Sequence, residues 1–76
     1  MKLEFLLMNL SRSDLIDDDT SIDIAIDQIN RDGDVYTIIG SLRSVNVWMY
    51  SEWDVEQFNL DFKSNILTIL LGVNHQ

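Results

Sequence analysis

The sequence predicts a single α+β domain over residues 1–76, a small antiparallel β-sheet of three or four strands packed by one C-terminal α-helix. Three observations carry that expectation. Ile22, Ile24 and Ile26 alternate with Asp23, Ala25 and Asp27 and run into Asn30-Arg31-Asp32-Gly33, a turn-forming stretch followed by a second β-branched run. Val55, Phe58, Phe62, Ile66, Ile69, Leu70 and Val73 then recur at helical spacing. With no proline and three glycines, the chain offers no linker that would divide it into two units.

Taken in order, the N-terminal run suits a strand through Leu3, Phe5 and Leu7, or a helix through Leu3, Leu6, Leu7 and Leu10. The strand is favoured, as a further member of the sheet, with Ser11 to Ser21 as a long, mobile, acidic connection. The run Ser21 to Asp27 also has a helical face, Ile22, Ala25, Ile26 and Ile29, but three isoleucines at period two favour a strand. If residues 30–33 form the loop, Ala25 faces Ile38 and Ile24 faces Ile39. Ile22, Ile24, Ile26, Val35 and Ile39 then share one side, and Asp23, Ala25, Asp27, Tyr36 and Ile38 the other. Gly40 relieves crowding before a turn at Leu42-Arg43-Ser44, and Val45 to Tyr50 follows as a third strand, with Val45, Val47 and Met49 on one side and Trp48 and Tyr50 on the other.

Ser51 to Asp54 reads as a helix start. Ser51 is placed to cap the free amides, and Glu52 and Asp54 lie in the positive first turn. Gly72 then terminates the long C-terminal helix. A hairpin competes with it: Phe58 to Phe62 and Ile66 to Leu70 also alternate about a turn at Lys63-Ser64-Asn65.

Composition sets the class. A 46% hydrophobic and 24% charged chain is expected to fold rather than remain disordered. A domain this small buries only about 60% of its unfolded surface, so its stability is expected to be marginal unless a partner covers more. The absence of cysteine fits a reducing cytoplasm. The opening run carries Glu4 inside its apolar stretch and no small-residue cleavage site, so a signal peptide is not expected. No run reaches the roughly 18 apolar residues of a membrane span.

Charge is the strongest functional signal. Lys+Arg number 5 against Asp+Glu 13, a net charge of -8, and eight of the acids are Asp14, Asp17, Asp18, Asp19, Asp23, Asp27, Asp32 and Asp34. Arg31 is the sole cation within that stretch. Such a chain repels nucleic acid and attracts basic proteins.

Other chemistry is poorly served. Asn30, Asp32 and Asp34 imitate the start of a calcium loop, but Val35 and Ser41 stand where its glycine and closing glutamate belong, so no metal is expected. His75, the single histidine, is the penultimate residue, and no serine sits in a nucleophile elbow. No cofactor is implied, and the chain reads as a non-enzyme. Trp48, Tyr50 and Trp53 read as aromatics pinning the helix to the sheet, with Trp53 the most exposed and a candidate interface anchor.

The expectation is therefore a small acidic inhibitor, of the type phages and mobile elements direct against nucleases, CRISPR effectors or DNA-binding proteins. It would occupy their basic surface by imitating the phosphates of nucleic acid. The partner-binding residues would be the eight aspartates with Tyr36 and Trp53. Two alternatives are an immunity or antitoxin protein that neutralises a basic toxin, and a structural subunit that forms a homodimer through its sheet.

Overall fold

A computed structural model describes residues 1–26 and 36–72. The elements run α1 (Leu3–Arg12), β1 (Ser21–Ile26), β2 (Tyr36–Gly40), α2 (Val45–Trp48), β3 (Val55–Asp61) and β4 (Ile66–Leu71). The four strands form one sheet in the order β2-β1-β4-β3. The β1–β2 and β3–β4 pairs are antiparallel, whereas β1 and β4 run parallel, so the sheet is mixed rather than antiparallel.

The C-terminal segment is not a helix. It forms the competing hairpin and places β4 between β1 and β3. Ile66 to Leu71 reads as a nearly continuous apolar run because Ile66 and Leu70, half-buried on the side away from the core, are apolar like the core-facing residues, which gives it helical spacing by accident. Leu67, Ile69 and Leu71 alternate into the core. The turn is set by Asp61, whose Oδ1 accepts the amides of Lys63 at 3.0 Å and Ser64 at 3.3 Å, and by Asn65 at φ 55. Asn tolerates that left-handed geometry. Phe62, expected in the core, sits on this turn with 70% of its surface exposed. Gly72 follows β4 and ends no helix, and Glu52 and Asp54 belong to the turns that lead into β3.

The N-terminal run is a helix, not a strand. Leu3, Leu6 and Leu7 are buried on one side, with Glu4 in the first turn and Arg12 in the last, as the helix dipole favours. Lys2 provides no side-chain cap. Instead the amides of Leu3 and Glu4 each donate at 2.9 Å, to the carbonyls of Trp53 and Ser51. The backbone of a distant turn thus satisfies two of the amides that open the helix.

The expected third strand is also helical. Ser41 donates its amide to the Ser44 Oγ at 2.9 Å, and Val45 to Trp48 then forms a single turn. The Trp48 indole donates back to the Leu42 carbonyl at 2.6 Å, a reversal that an extended chain cannot make. Val47 is buried while Val45 and Met49 are exposed, so these three do not share a face. Gly40 does relieve crowding, since a Cβ there would lie 2.7 Å from Ser44 Oγ and from Val47.

The β1 strand forms as expected, but its partner is shifted by one residue. Ile24 pairs with Ile38 and Asp23 with Ile39. Ile38 therefore enters the core, 6% exposed, and Ile39 turns outward, 66% exposed, the reverse of the expected faces. One side of the sheet, with Ile22, Ile24, Ile26, Ile38, Leu67, Ile69 and Leu71, packs in one cluster with Leu3, Leu6, Leu7, Ile16 and Val47. The opposite side is open. Two rows of neighbours cross it, Ile39, Asp23, Thr68 and Asn59, then Thr37, Ala25, Leu70 and Gln57. Among the described residues no helix is long and apolar enough to cross a membrane.

Candidate functional site

The aspartates that leave α1 lie on a tightly bonded loop, not a mobile connection. Ser11 and Arg12 still belong to the helix. Asp14 takes a left-handed φ of 57 and donates its amide to Ser11 at 3.1 Å, while Leu15 and Ile16 both donate to the Leu10 carbonyl. Ile16 and Thr20 are buried and hold the loop at two points. Between them Asp17, Asp18 and Asp19 are exposed.

Thr20 is the centre of the strapping. Its Oγ1 accepts the Asp17 amide at 3.0 Å and donates to Asn65 Oδ1 at 2.8 Å. The Asn65 carbonyl accepts the Ser21 amide at 3.0 Å, so the β3–β4 turn and the acidic loop are bonded together. This sets Asp61, which begins that turn, at the same end of the sheet as Asp17, Asp18 and Asp19. Asp61 was not among the expected site residues, because a helical reading of its segment put it elsewhere. Its signal was the Asp61 to Asn65 spacing of a polar turn.

The carboxylates are not equally available. Asp17 Oδ1 accepts the Asp19 amide at 2.9 Å. Asp18 Oδ2 is held by Arg43, with Nη2 at 2.9 Å and Nε at 3.1 Å. Asp23 lies on the open sheet side and accepts the Ser21 hydroxyl at 3.0 Å. Asp14 and Asp19 make no ion pair among the described residues. Asp27, Asp32 and Asp34, with Gly33 and His75, lie outside the described residues. Tyr36 opens β2 opposite Ile26.

Trp53 is half-buried against Tyr50, edge to face at a centroid distance of 5.2 Å, and both pack on the core. Its carbonyl meets Leu3 at the start of α1, whereas the acidic loop leaves the other end. The ten-residue helix, about 15 Å long, separates them. Trp53 and the loop are therefore not one patch.

Two grooves accompany these features. One of about 320 Å³ lies beside α1 and is lined by Leu7, Met8, Ser11, Arg12, Asp18, Leu42 and Trp48. The other, about 230 Å³, lies on the sheet and includes Ala25, Gln57, Asn59, Thr68 and Leu70. Among the described residues no three acidic, histidine or cysteine side chains gather to hold a metal. The fold and this loop define a small mixed-sheet α+β domain that carries a bonded acidic end. No family model, curated protein or solved structure matches the chain.

Proposed function

We propose that the protein is a non-enzymatic acidic binding protein that occupies the basic, nucleic-acid-binding surface of another protein, as inhibitors from phages and mobile elements do. The observation that supports this reading most is the loop pinned by Ile16 and Thr20, which presents Asp14, Asp17, Asp18 and Asp19 at separations fixed by hydrogen bonds. A strapped array loses little entropy when it meets a basic groove, and its spacing acts as part of the recognition. Asp23 and Asp61 extend the negative surface over the sheet end. Arg12, Arg43 and Lys63 are the cations nearest in the chain to this end, and Arg43 already pairs with Asp18.

The test is reversal of Asp14, Asp18, Asp19 and Asp23 to lysine, leaving Asp17 because its carboxylate orders the loop. The native protein is expected to capture DNA- or RNA-binding proteins from host lysate and to compete nucleic acid from them. The reversed protein, still folded by circular dichroism, is expected to do neither. If both forms capture the same proteins, or if the captured proteins retain their nucleic acid, the proposal fails.

A further inference from the structure

We infer that two copies of this chain pair edge to edge through β3, antiparallel about a two-fold axis at Asn59. β3 is an outer strand of the sheet, and the direction of its backbone groups follows from one hydrogen bond. The Gly72 amide donates to the Asp54 carbonyl at 3.0 Å, so the amides and carbonyls of Leu70, Thr68 and Ile66, at two-residue steps along β4, also point toward β3. Their partners are Gln57, Asn59 and Asp61, which leaves the amides and carbonyls of Phe58 and Leu60 directed away from the sheet. Among the described residues no strand lies beyond them.

The chain itself covers the start of this edge. Lys2 bridges Asp54 in antiparallel sense, with the Val55 amide donating to the Met1 carbonyl at 2.7 Å and the Leu3 amide to the Trp53 carbonyl at 2.9 Å. That cover stops at Val55. The strand is bulged between Val55 and Gln57, but Gln57 to Leu60 carry no lysine, proline or charge of the kind that closes a bare edge. Phe58 remains 45% exposed although it pairs with the buried Ile69 and shares its side of the sheet.

A second copy satisfies this edge in one register. With Asn59 on the axis, Phe58 stands opposite the second copy's Leu60 and Leu60 opposite its Phe58, so every outward amide and carbonyl of these residues finds a partner. The Phe58 and Leu60 side chains meet as cross-strand apolar pairs on the core side. An axis at Phe58 would set Leu60 against the bulge, and an axis at Leu60 would set Phe58 against the β3–β4 turn. Charge agrees with the same register. Asp61 falls opposite Gln57 rather than a carboxylate, and Lys63, without an ion pair among the described residues, approaches the second copy's Glu56. Because the strands run antiparallel, the two acidic ends lie at opposite ends of the pair, which limits the repulsion between chains of net charge -8.

This inference does not rest on the proposed function, since Phe58, Asn59 and Leu60 lie outside the acidic loop. Sedimentation equilibrium of the full chain over a concentration series tests it, with the native protein expected at twice the chain mass. Phe58→Pro removes an outward amide and leaves the ladder to β4 intact, so it is expected at the single-chain mass, still folded by circular dichroism. Cysteine substitution reads the register in a chain that has no cysteine of its own. Asn59 faces its own copy across the axis as a non-hydrogen-bonded pair, with Cα atoms about 4.5 Å apart, so Asn59→Cys is expected to cross-link two chains on mild oxidation. Gln57→Cys, displaced from its copy along the strand, is expected not to. The cysteine variants decide the matter alone if Phe58→Pro unfolds. A native protein of single-chain mass throughout, which would leave the edge to a foreign strand, overturns the inference. So does a folded Phe58→Pro that still pairs, or a Gln57→Cys that cross-links as readily as Asn59→Cys.

Discussion

Thr20 joins two distant parts of the chain with a single hydroxyl. Fully buried, it accepts the Asp17 amide and donates to Asn65, so both of its hydrogen-bonding roles are filled within the protein. Thr20→Val keeps the shape and removes both bonds, leaving a sheltered amide and an amide oxygen without their partner. The expected loss is about 1–3 kcal/mol in denaturant unfolding. A local readout separates this from general weakening: hydrogen exchange at the Asp17 and Asp19 amides should accelerate more than at β4. Ser21→Ala, which removes a partly buried contact to Asp23, should lower stability less.

Among the elements, β4 carries the greatest packing load. Ile69 is fully buried in a strand paired on both sides, so Ile69→Ala is expected to cost about 2–5 kcal/mol. Phe62→Ala removes an exposed ring from a turn and should stay within about 0.5 kcal/mol. Chemical denaturation of both variants distinguishes this hairpin from a C-terminal helix, in which both side chains would lie on the core stripe and both substitutions would be costly. The sequence made β1 legible because its apolar residues alternate strictly with polar or small ones. It left β4 ambiguous because Ile66 and Leu70, on the open side, are apolar like the core-facing residues, and only Thr68 interrupts the run. It left α1 ambiguous because Phe5 lies outside the helical core stripe and imitates a period of two with Leu3 and Leu7. The β1–β2 register depended on the choice of loop residues, where a shift of one exchanges Ile38 and Ile39. The aspartates of the loop were legible as charge, whereas their strapping was not, since it rests on Asn65, 45 residues beyond Thr20.

For the whole molecule, the weight of charge in binding can be measured. If a net charge of -8 steers the protein to a basic partner, affinity should fall at least about tenfold between roughly 50 and 200 mM salt. The decrease should appear mainly in the association rate.

The parallel pairing of β1 with β4 also determines when the fold can close. Ser21 pairs with Ile66, so the middle of the sheet joins residues from opposite parts of the chain. During synthesis, β1 has β2 on one side and nothing on the other until Leu71 has left the ribosome. The nascent chain therefore exposes Ile22, Ile24 and Ile26 along an open edge for most of its emergence, the state in which strands mispair with neighbours. A slowly closing, non-local contact at the centre of so short a chain makes folding speed, as well as final stability, sensitive to changes in β4.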